Sequence, residues 1–200
     1  MTIQEVAVVR TGIANLASVF AALGRLNATP RLVHDGMAIE RAARLMLPGV
    51  GSFGAAMAAL TADGLIEPLR ARLAADRPTL AVCVGLQVLF AASEESPGVA
   101  GLGVLAGTIA RFDARVRVPQ LGWNEVVAGT GCRWIRSGYA YFANSYRASA
   151  APAGCASASA DHGGPFVAGL ERGALLALQC HPELSGRWGH DLLGRWMAAS

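Results

Sequence analysis

Apolar runs separated by turn residues divide the first half of the chain into alternating strands and helices. Four short runs have the length and composition of buried strands, at residues 6–9, 30–33, 44–47 and 79–83. Apolar residues recur at helical spacing over 15–26, about 53–60 and about 65–75, and a further helix is expected over 86–92. This alternation predicts a parallel sheet covered by helices on both faces.

The pattern changes after Pro97. Short segments predict strands over 108–112, 124–127, 139–143 and 155–160, and a last helix is expected over about 191–198. Two further apolar runs, 166–170 and 174–179, predict a hairpin that turns at 171–173. We therefore predict an α/β fold in one domain over residues 1–200. Its central sheet is mostly parallel, with an antiparallel, strand-rich section formed by the second half of the chain.

Composition and charge narrow the function classes. The chain has 200 residues, of which 53% are hydrophobic, and a formal net charge of +3. Its 17 basic residues are all arginine and are scattered; even Arg111, Arg115 and Arg117 lack the density of a nucleic-acid surface. The sequence contains no apolar run long enough to span a membrane and no signal-peptide pattern at its start. We expect a cytoplasmic protein with neither a nucleic-acid nor a membrane partner.

The four cysteines show no metal-binding spacing. Cys83, Cys132, Cys155 and Cys180 form no C-x-x-C pair, so we expect neither a metal nor another cofactor. Reduced thiols are the default in the cytoplasm. Cys132, Cys155 and Cys180 are interpreted as inert thiols, and strand alternation predicts that Cys180 points away from the side chain of His181.

A thiol, an imidazole and a carboxylate stand at the ends of two apolar strands. Cys83 ends the strand at 79–83, and His181 and Glu183 follow the strand at 174–179. Strand ends can meet in space, and these three groups suffice as nucleophile, base and orienting acid for acyl transfer. Each residue taken alone also fits a structural role, as an inert buried thiol or a core histidine.

The residues around Cys83 have the pattern of a nucleophile elbow. A thiol before a helix lies near free N–H groups and the positive end of the helix dipole, which favour the thiolate. Gly85 permits a sharp turn, and the N–H of Val84 could stabilise an oxyanion. A second donor is expected from Val50 and Gly51, in a Gly-rich loop that otherwise fits a plain turn.

Five segments, taken in order, resemble the glutaminase subunits of imidazole glycerol phosphate synthases, which are class I glutamine amidotransferases. They are LPGVGSFGAAM at 47–57, CVGLQ at 83–87, VPQLGWN at 118–124, YF with SY at 141–146, and Q-x-HPE at 179–183. The Cys and His-Pro-Glu motifs are shared by the whole class, whereas the first and third segments are specific to this subunit. The resemblance spans nearly the whole chain.

The resemblance implies that glutamine is hydrolysed through a thioester on Cys83, with His181 and Glu183 completing a triad. It also implies a set of residues that hold the substrate: Gln87, Glu95, Ser145 and Tyr146. Because free glutamine carries an ammonium and a carboxylate, a set with both charged and polar members is physically reasonable.

The resemblance further implies a heterodimer with a (β/α)₈-barrel cyclase in histidine biosynthesis. The released ammonia would be used by that partner to form imidazole glycerol phosphate and an aminoimidazole carboxamide ribotide. The positions that match the partner-facing surface are Pro119, Gln120, Trp123 and Asn124. A sealed route would keep ammonia unprotonated and therefore nucleophilic.

Several positions depart from the family pattern. The usual Asp-Tyr-Gly-x-Gly-Asn reads Arg-Thr-Gly-Ile-Ala-Asn at 10–15, and Ala81 replaces a glycine. Gln120 and Asn144 replace histidines, and Leu184 replaces a lysine. Because Arg10, Gln120, Asn144 and Leu184 are expected at or near the docking surface, two alternatives stay open. The chain could supply ammonia to a different synthase, or it could be a binding module that regulates a synthase without catalysis.

Overall fold

The computed structural model describes residues 4–10 and 15–199. These residues contain a nine-stranded mixed sheet. Five neighbouring strands are parallel: β2 (Ala28–Val33), β1 (Gln4–Val9), β3 (Leu45–Leu47), β4 (Thr79–Val82) and β12 (Leu175–Leu178). Four antiparallel strands continue the sheet: β11 (Pro165–Arg172), β10 (Ala156–Asp161), β7 (Gln120–Ala128) and β8 (Gly138–Asn144). The predicted α/β fold class is confirmed, and β12 joins its two parts.

Helices cover the parallel part of the sheet. They are α1 (Leu16–Gly24), α2 (Gly36–Arg41), α3 (Phe53–Ala62), α4 (Ile66–Ala74), the single turn α5 (Val84–Gln87) and α6 (Gly186–Ala198). The crossover from β1 to β2 runs in one direction along the sheet, and those from β2 to β3 and from β3 to β4 run in the other. Because such crossovers are right-handed, α1 lies on one face and α2, α3 and α4 lie on the other. The packing of α2 against α4 agrees with this arrangement.

A second, three-stranded sheet corrects one prediction. It contains β5 (Phe90–Ser93), β6 (Leu105–Arg111) and β9 (Tyr146–Arg147), so the helix predicted over 86–92 is wrong beyond Gln87. The N–H groups of Gly101 and Leu102 donate to the carbonyls of Ala91 and Val88 at 2.9 and 2.8 Å. These contacts with a later segment replace the helical bonds that the local pattern favours.

Two helix positions also differ from the sequence prediction. The sequence analysis does not predict α2, which is only six residues long. Asp35 caps the N-terminus of this helix, because its carboxylate accepts the N–H of Ala38 at 2.8 Å. α6 begins at Gly186 instead of about residue 191. A Cβ on Gly189 would lie 1.9 Å from the carbonyl oxygen of Pro182, so close packing requires glycine in this helix. Glycine weakens the sequence signal of a helix, which explains the late predicted start.

The three central strands carry the core. Every residue of β3, β4 and β12 is buried, as expected for parallel strands covered on both faces. The described residues include no helix with the length and hydropathy needed to cross a membrane. Because β3, β4 and β12 are parallel neighbours, the residues that follow them emerge at one edge of the sheet.

Candidate active site

The carboxyl ends of three adjacent strands bring the predicted site segments together. Leu47 of β3 pairs with Ala81 of β4, and Leu178 of β12 pairs with Val82. The Gly-rich loop, the thiol and the histidine segment therefore leave the sheet side by side. Ligands bind most often at this edge of open α/β sheets.

Cys83 occupies a strained turn between β4 and α5. Its φ of 54° and ψ of −112° lie in a region that residues with a side chain rarely adopt. The turn is packed tightly, because a Cβ on Gly85 would lie 2.1 Å from the carbonyl oxygen of Leu47. The sharp elbow expected from the sequence is therefore present in the backbone.

The Gly-rich loop after β3 packs directly on this elbow. A Cβ on Gly49 would lie 2.7 Å from the backbone nitrogen of Gly85. Gly51, with a φ of 88°, lines the cavity beside Cys83, and Val50 lies one residue before it. Because the N–H groups of a first helical turn have no partner inside the helix, the Val84 N–H is available to a ligand. The predicted oxyanion residues Val50, Gly51 and Val84 thus lie close to the thiol.

His181 and Glu183 form a buried hydrogen-bonded pair. Nδ1 of His181 lies 2.8 Å from Oε1 of Glu183, and the two residues are 4% and 9% exposed. A carboxylate only accepts hydrogen bonds, so it places the proton of the imidazole on Nδ1. Burial opposes the charged imidazole, but hydrogen bonds with Cys83 and Glu183 outweigh it and raise the pKa of His181 to about 10.

The thiol of Cys83 also acts on the imidazole of His181. The hydrogen bond with the thiol is the larger of the two that raise the pKa of His181. Nδ1 is occupied by Glu183, so Nε2 is the ring nitrogen left for the sulfur. The geometry can therefore transfer a proton between sulfur and imidazole.

Backbone bonds fix the imidazole segment to β8. The N–H of His181 donates to the carbonyl of Tyr141 at 2.9 Å. The Ser185 hydroxyl donates to the carbonyl of His181 at 2.6 Å and accepts the N–H of Tyr141 at 2.9 Å. His181 follows β12, in the parallel part of the sheet, and is held in place by hydrogen bonds to β8, in the antiparallel part.

A cavity of about 110 Å³ opens at the thiol. It is lined by Gly51, Cys83, Val84, Gln87, Glu95, Ala143, Asn144, Ser145 and Tyr146. All four residues that the resemblance assigns to substrate are among them. Drug-sized ligands take cavities of about 300–1,000 Å³, so this one suits a molecule the size of an amino acid.

The carboxylate of Glu95 is anchored at this cavity by a backbone group. Its Oε2 accepts the N–H of Phe53 at 2.7 Å, at the first residue of α3. The positive end of a helix dipole favours a negative charge at that place. Glu95 therefore supplies a fixed anionic group to a cavity that also contains a thiol.

Sequence reasoning missed the role of Gln179, which was noted only as part of a motif. Gln179 is completely buried, and its Nε2 donates to Sγ of Cys83 at 3.7 Å. Its Oε1 accepts Nε2 of Gln87 at 3.0 Å. The available signal was spacing: Gln179 and His181 are two residues apart on an extended segment and share a side.

The residues expected to face a partner line a separate groove of about 490 Å³. Pro119, Gln120, Trp123 and Asn124 contribute to it, together with Arg117, Leu121, Gly122, Asp161 and His162. Leu121 and Trp123 are 65% and 58% exposed, which is high for large apolar side chains. Gln120 differs, because its side chain is buried at the base of the groove.

The departures from the family pattern occupy different environments. Gln120 and Asn144 are paired across β7 and β8, and both are buried. Gln120 Oε1 and Asn144 Oδ1 have no hydrogen-bond partner within the described part of the chain. Leu184 is exposed. Positions 11–14 of the altered segment at 10–15 lie outside the described residues.

The other three cysteines are less suited to ionise. Burial raises the pKa of Cys132, Cys155 and Cys180, most strongly for the completely buried Cys180. Cys180 lies between Gln179 and His181 and, like them, is buried.

Comparisons with known proteins agree with this geometry. A profile of the family "Glutamine amidotransferase class-I" matches residues 13–197. "Imidazole glycerol phosphate synthase subunit HisH" from Xylella fastidiosa (strain Temecula1) is 41% identical, and the match covers 96% of each chain. "Imidazole glycerol phosphate synthase hisHF, chloroplastic" from Arabidopsis thaliana is 38% identical over 93% of this chain and 33% of that protein. A crystal structure described as a glutamine amidotransferase superposes with a TM-score of 0.76 at 21% identity, covering 96% of this chain and 95% of that one.

Proposed function

The chain belongs to the class-I glutamine amidotransferase family, among the HisH subunits of imidazole glycerol phosphate synthase, and we propose that Cys83, His181 and Glu183 carry its glutaminase reaction. The observation that carries the proposal is geometric: the buried His181–Glu183 pair, 2.8 Å from Nδ1 to Oε1, leaves the sheet beside the strained turn that holds the Cys83 thiol. The same three kinds of group perform acyl transfer in unrelated folds.

In the first half of the reaction, the Cys83 thiolate attacks the side-chain carboxamide carbon of glutamine. The developing oxyanion is stabilised by the N–H of Val84 and by an N–H of the Val50–Gly51 loop. His181, which holds the proton taken from the thiol, returns it to the departing nitrogen. The C–N bond breaks, ammonia leaves, and a γ-glutamyl thioester remains on Cys83.

In the second half, water replaces ammonia in the same position. His181 removes a proton from the water as its oxygen attacks the thioester carbonyl. The C–S bond breaks, glutamate is released, and the sulfur leaves as the thiolate paired with the protonated His181. Glu183 keeps the imidazole in one orientation through both halves, at an Nδ1–Oε1 distance of 2.8 Å.

Glutamine recognition is assigned to Gln87, Glu95, Ser145 and Tyr146. The anchored carboxylate of Glu95 provides a charge complementary to the substrate α-ammonium. Ser145 and Tyr146 are half-buried and line the same cavity. A polar lining with one fixed negative charge favours a small zwitterion over a neutral or anionic ligand.

The partner is proposed to be a (β/α)₈-barrel cyclase that takes the ammonia. Leu121, Trp123 and Tyr139 place large apolar side chains in water, and apolar clusters of this kind mark interaction sites. The groove lined by Pro119, Gln120, Trp123 and Asn124 adjoins them. The Arabidopsis relative named hisHF is about three times as long as the matched stretch. Its additional length supports the proposal that this domain acts together with a second protein activity.

The cytoplasm is the proposed compartment. Cys83, Cys132, Cys155 and Cys180 are all free thiols, and two of them are only half-buried. Reducing compartments preserve such thiols, including the nucleophile.

The proposal is tested by separating glutamine from ammonia as nitrogen source. With a cyclase partner present, Cys83→Ser should abolish glutamine-dependent product formation while ammonium salts still support the reaction. The matched control is Cys155→Ser, which changes a half-buried thiol that does not line the cavity and should keep both activities. Glutamine-dependent turnover by the Cys83→Ser variant would contradict the mechanism.

A second candidate partner is favoured by the paired replacements at Gln120 and Asn144. A glutaminase subunit that supplies ammonia to a different synthase would keep the same catalytic residues but would have different residues at the base of its docking groove. Complementation of a strain that lacks the histidine-pathway subunit distinguishes the two. Growth without added histidine supports the cyclase partner, and failure to grow with normal glutaminase activity supports the other synthase.

A further inference from the structure

We infer that Gln179 is a positioning residue for the nucleophile, and that a hydrogen-bond relay starting at the carbonyl of Tyr146 forces its amide N–H toward the Cys83 sulfur. The inference rests on the proposed function, since it concerns the same thiol. It assigns a role to a buried side chain that the triad leaves out.

The relay consists of three contacts among buried groups. Nε2 of Gln87 donates to the backbone carbonyl of Tyr146 at 3.1 Å and to Oε1 of Gln179 at 3.0 Å. Nε2 of Gln179 donates to Sγ of Cys83 at 3.7 Å. Gln87 and Gln179 are 3% and 0% exposed, so water does not compete for these groups.

The direction of the relay follows from its first member. A backbone carbonyl can only accept, so the amide of Gln87 must turn its nitrogen toward Tyr146. That nitrogen also faces Gln179, which must therefore present its oxygen to Gln87 and its nitrogen to the sulfur. The carbonyl of Tyr146 therefore determines which way the side-chain amides of both Gln87 and Gln179 are turned, although either orientation would fit an isolated amide. Asn144 supports the same carbonyl, because its Nδ2 donates to it at 3.0 Å.

The consequence for catalysis is a second fixed neighbour of the sulfur. Gln179 and His181 both act on Cys83 from the segment that follows β12, two residues apart. An N–H donor stabilises a thiolate more than a thiol and restricts where its lone pairs point. The relay also uses both N–H groups of Gln87, so Oε1 is the atom of that amide left to accept from a substrate donor.

The experiment measures the reactivity of Cys83 with iodoacetamide as a function of pH, with the modified peptide identified by mass spectrometry. Gln179→Met removes both amide contacts at similar volume. We expect alkylation of Cys83 at neutral pH to slow by roughly tenfold to a hundredfold, the usual range for a lost hydrogen bond to a charged group. The pH profile should move to higher pH, and kcat for glutamine should fall in parallel.

A second variant tests the donor-to-acceptor direction of the relay through a residue that does not touch the sulfur. Gln87→Glu places a carboxylate that cannot donate to Oε1 of Gln179, so the Gln179 amide should reverse and turn its oxygen to the sulfur. Alkylation of Cys83 should slow although residue 87 does not touch the sulfur. Adding Gln179→Met to this background should have little further effect, because the two changes break one relay.

The control is Cys155→Ala, at a half-buried thiol that does not line the cavity beside Cys83. It should leave the alkylation profile of Cys83 unchanged. A purely structural role for Gln179 would lower the melting temperature without moving the profile, and that result would overturn the inference. If Gln179→Met does not fold, Gln87→Glu decides the question by the same readout, and an unchanged profile in that variant overturns it.

The outcome is separable from the proposed function. Iodoacetamide needs only the thiol, so its reaction reports on the relay even if the chain fails to hydrolyse glutamine. Absence of glutaminase activity in the wild-type chain with its partner would overturn the proposed function alone.

Discussion

The ends of β4 and β12 lie side by side, yet the cysteines that follow them have opposite environments. After β4 the chain turns at Cys83 with a φ of 54°, and the thiol lines the cavity. After β12 the chain bends at Gln179 and Cys180, and Cys180 is completely buried, which raises its pKa. The difference lies in the backbone and its neighbours and not in the residue type.

The turn at Cys83 is maintained by packing around it. A non-glycine residue in such a conformation costs about 1–3 kcal/mol and persists only where its surroundings determine it. Here the surroundings are Gly85 against Leu47 and Gly49 against the elbow, with close backbone approach in both cases. The segment after β12 is held differently: it bends at Gln179 and Cys180, and the backbone N–H groups of Gln179 and His181 donate to the carbonyls of Ala168 and Tyr141, each at 2.9 Å.

The largest effect on kcat among these tests should come from replacing Glu183, the residue after β12 that orients His181. Glu183→Gln keeps the shape but removes the charge that stabilises the imidazolium, so kcat should fall by roughly a thousandfold. A steady-state glutaminase assay with the partner present measures it. Glu40→Gln, on the exposed face of α2, is the matched control and should be neutral. Activity of Glu183→Gln within about threefold of wild type would remove Glu183 from the mechanism.

The next effect concerns the packing that maintains the β4 turn. Gly85→Ala would place a Cβ 2.1 Å from the Leu47 carbonyl, a backbone atom that cannot move aside alone. We expect the free energy of unfolding to fall by about 3 kcal/mol or more. For a chain of this length that lowers the melting temperature by roughly 6–12 °C in a thermal scan.

The matched control for this change is Gly24→Ala at the end of α1, where a Cβ meets open space. It should leave the melting temperature unchanged or raise it slightly, by up to about 1 kcal/mol of stability. Equal melting temperatures for Gly85→Ala and Gly24→Ala would show that the elbow is not tightly packed.

The smallest effect is a pH dependence that links the two strand ends. The pKa of His181 is about 10 in the folded chain against a reference value of 6.5, because hydrogen bonds with Cys83 and Glu183 outweigh burial. A raised pKa contributes stability below pH 6.5 that is lost as the pH rises toward 10. The loss has an upper limit of about 1.4 kcal/mol per pH unit.

Thermal unfolding from pH 6.5 to 10 measures this dependence. Cys83→Ala removes one of the two hydrogen bonds that raise the pKa of His181, so its stability should decline less steeply over the same range. A steeper decline in Cys83→Ala than in the wild-type chain would contradict the thiol–imidazole contact.

Much of the fold could be predicted from the sequence, because buried parallel strands appear as continuous apolar runs. β3, β4 and β12 are buried at every position, and their runs were located within one or two residues. The segment after Gln87 could not be predicted, because β5 is extended only through its pairing with β6. The start of α6 was hidden by two glycines that helix propensity disfavours: Gly189, which close packing requires, and Gly186, whose φ of 54° favours glycine.

The candidate site was predicted through its motifs, and the geometry adds what motifs omit. Cys83, His181 and Glu183 are recognisable from position and chemistry, whereas the cavity residues Gln87 and Glu95 were expected only through the family resemblance. The relay through Gln179 depends on which amide atom faces which neighbour, and that is decided by the Tyr146 carbonyl 33 positions earlier. No local pattern encodes a contact of this kind, although the i, i+2 spacing to His181 hints at it.

The most direct test of the account labels the intact protein with a glutamine analogue that carries an electrophilic carbon in place of the side-chain amide. Peptide mass spectrometry should find one covalent adduct, on Cys83, which free glutamine prevents and which forms much more slowly in His181→Ala. An adduct on Cys180, or labelling of Cys83 at the same rate without His181, would contradict the claim that sulfur and imidazole act together.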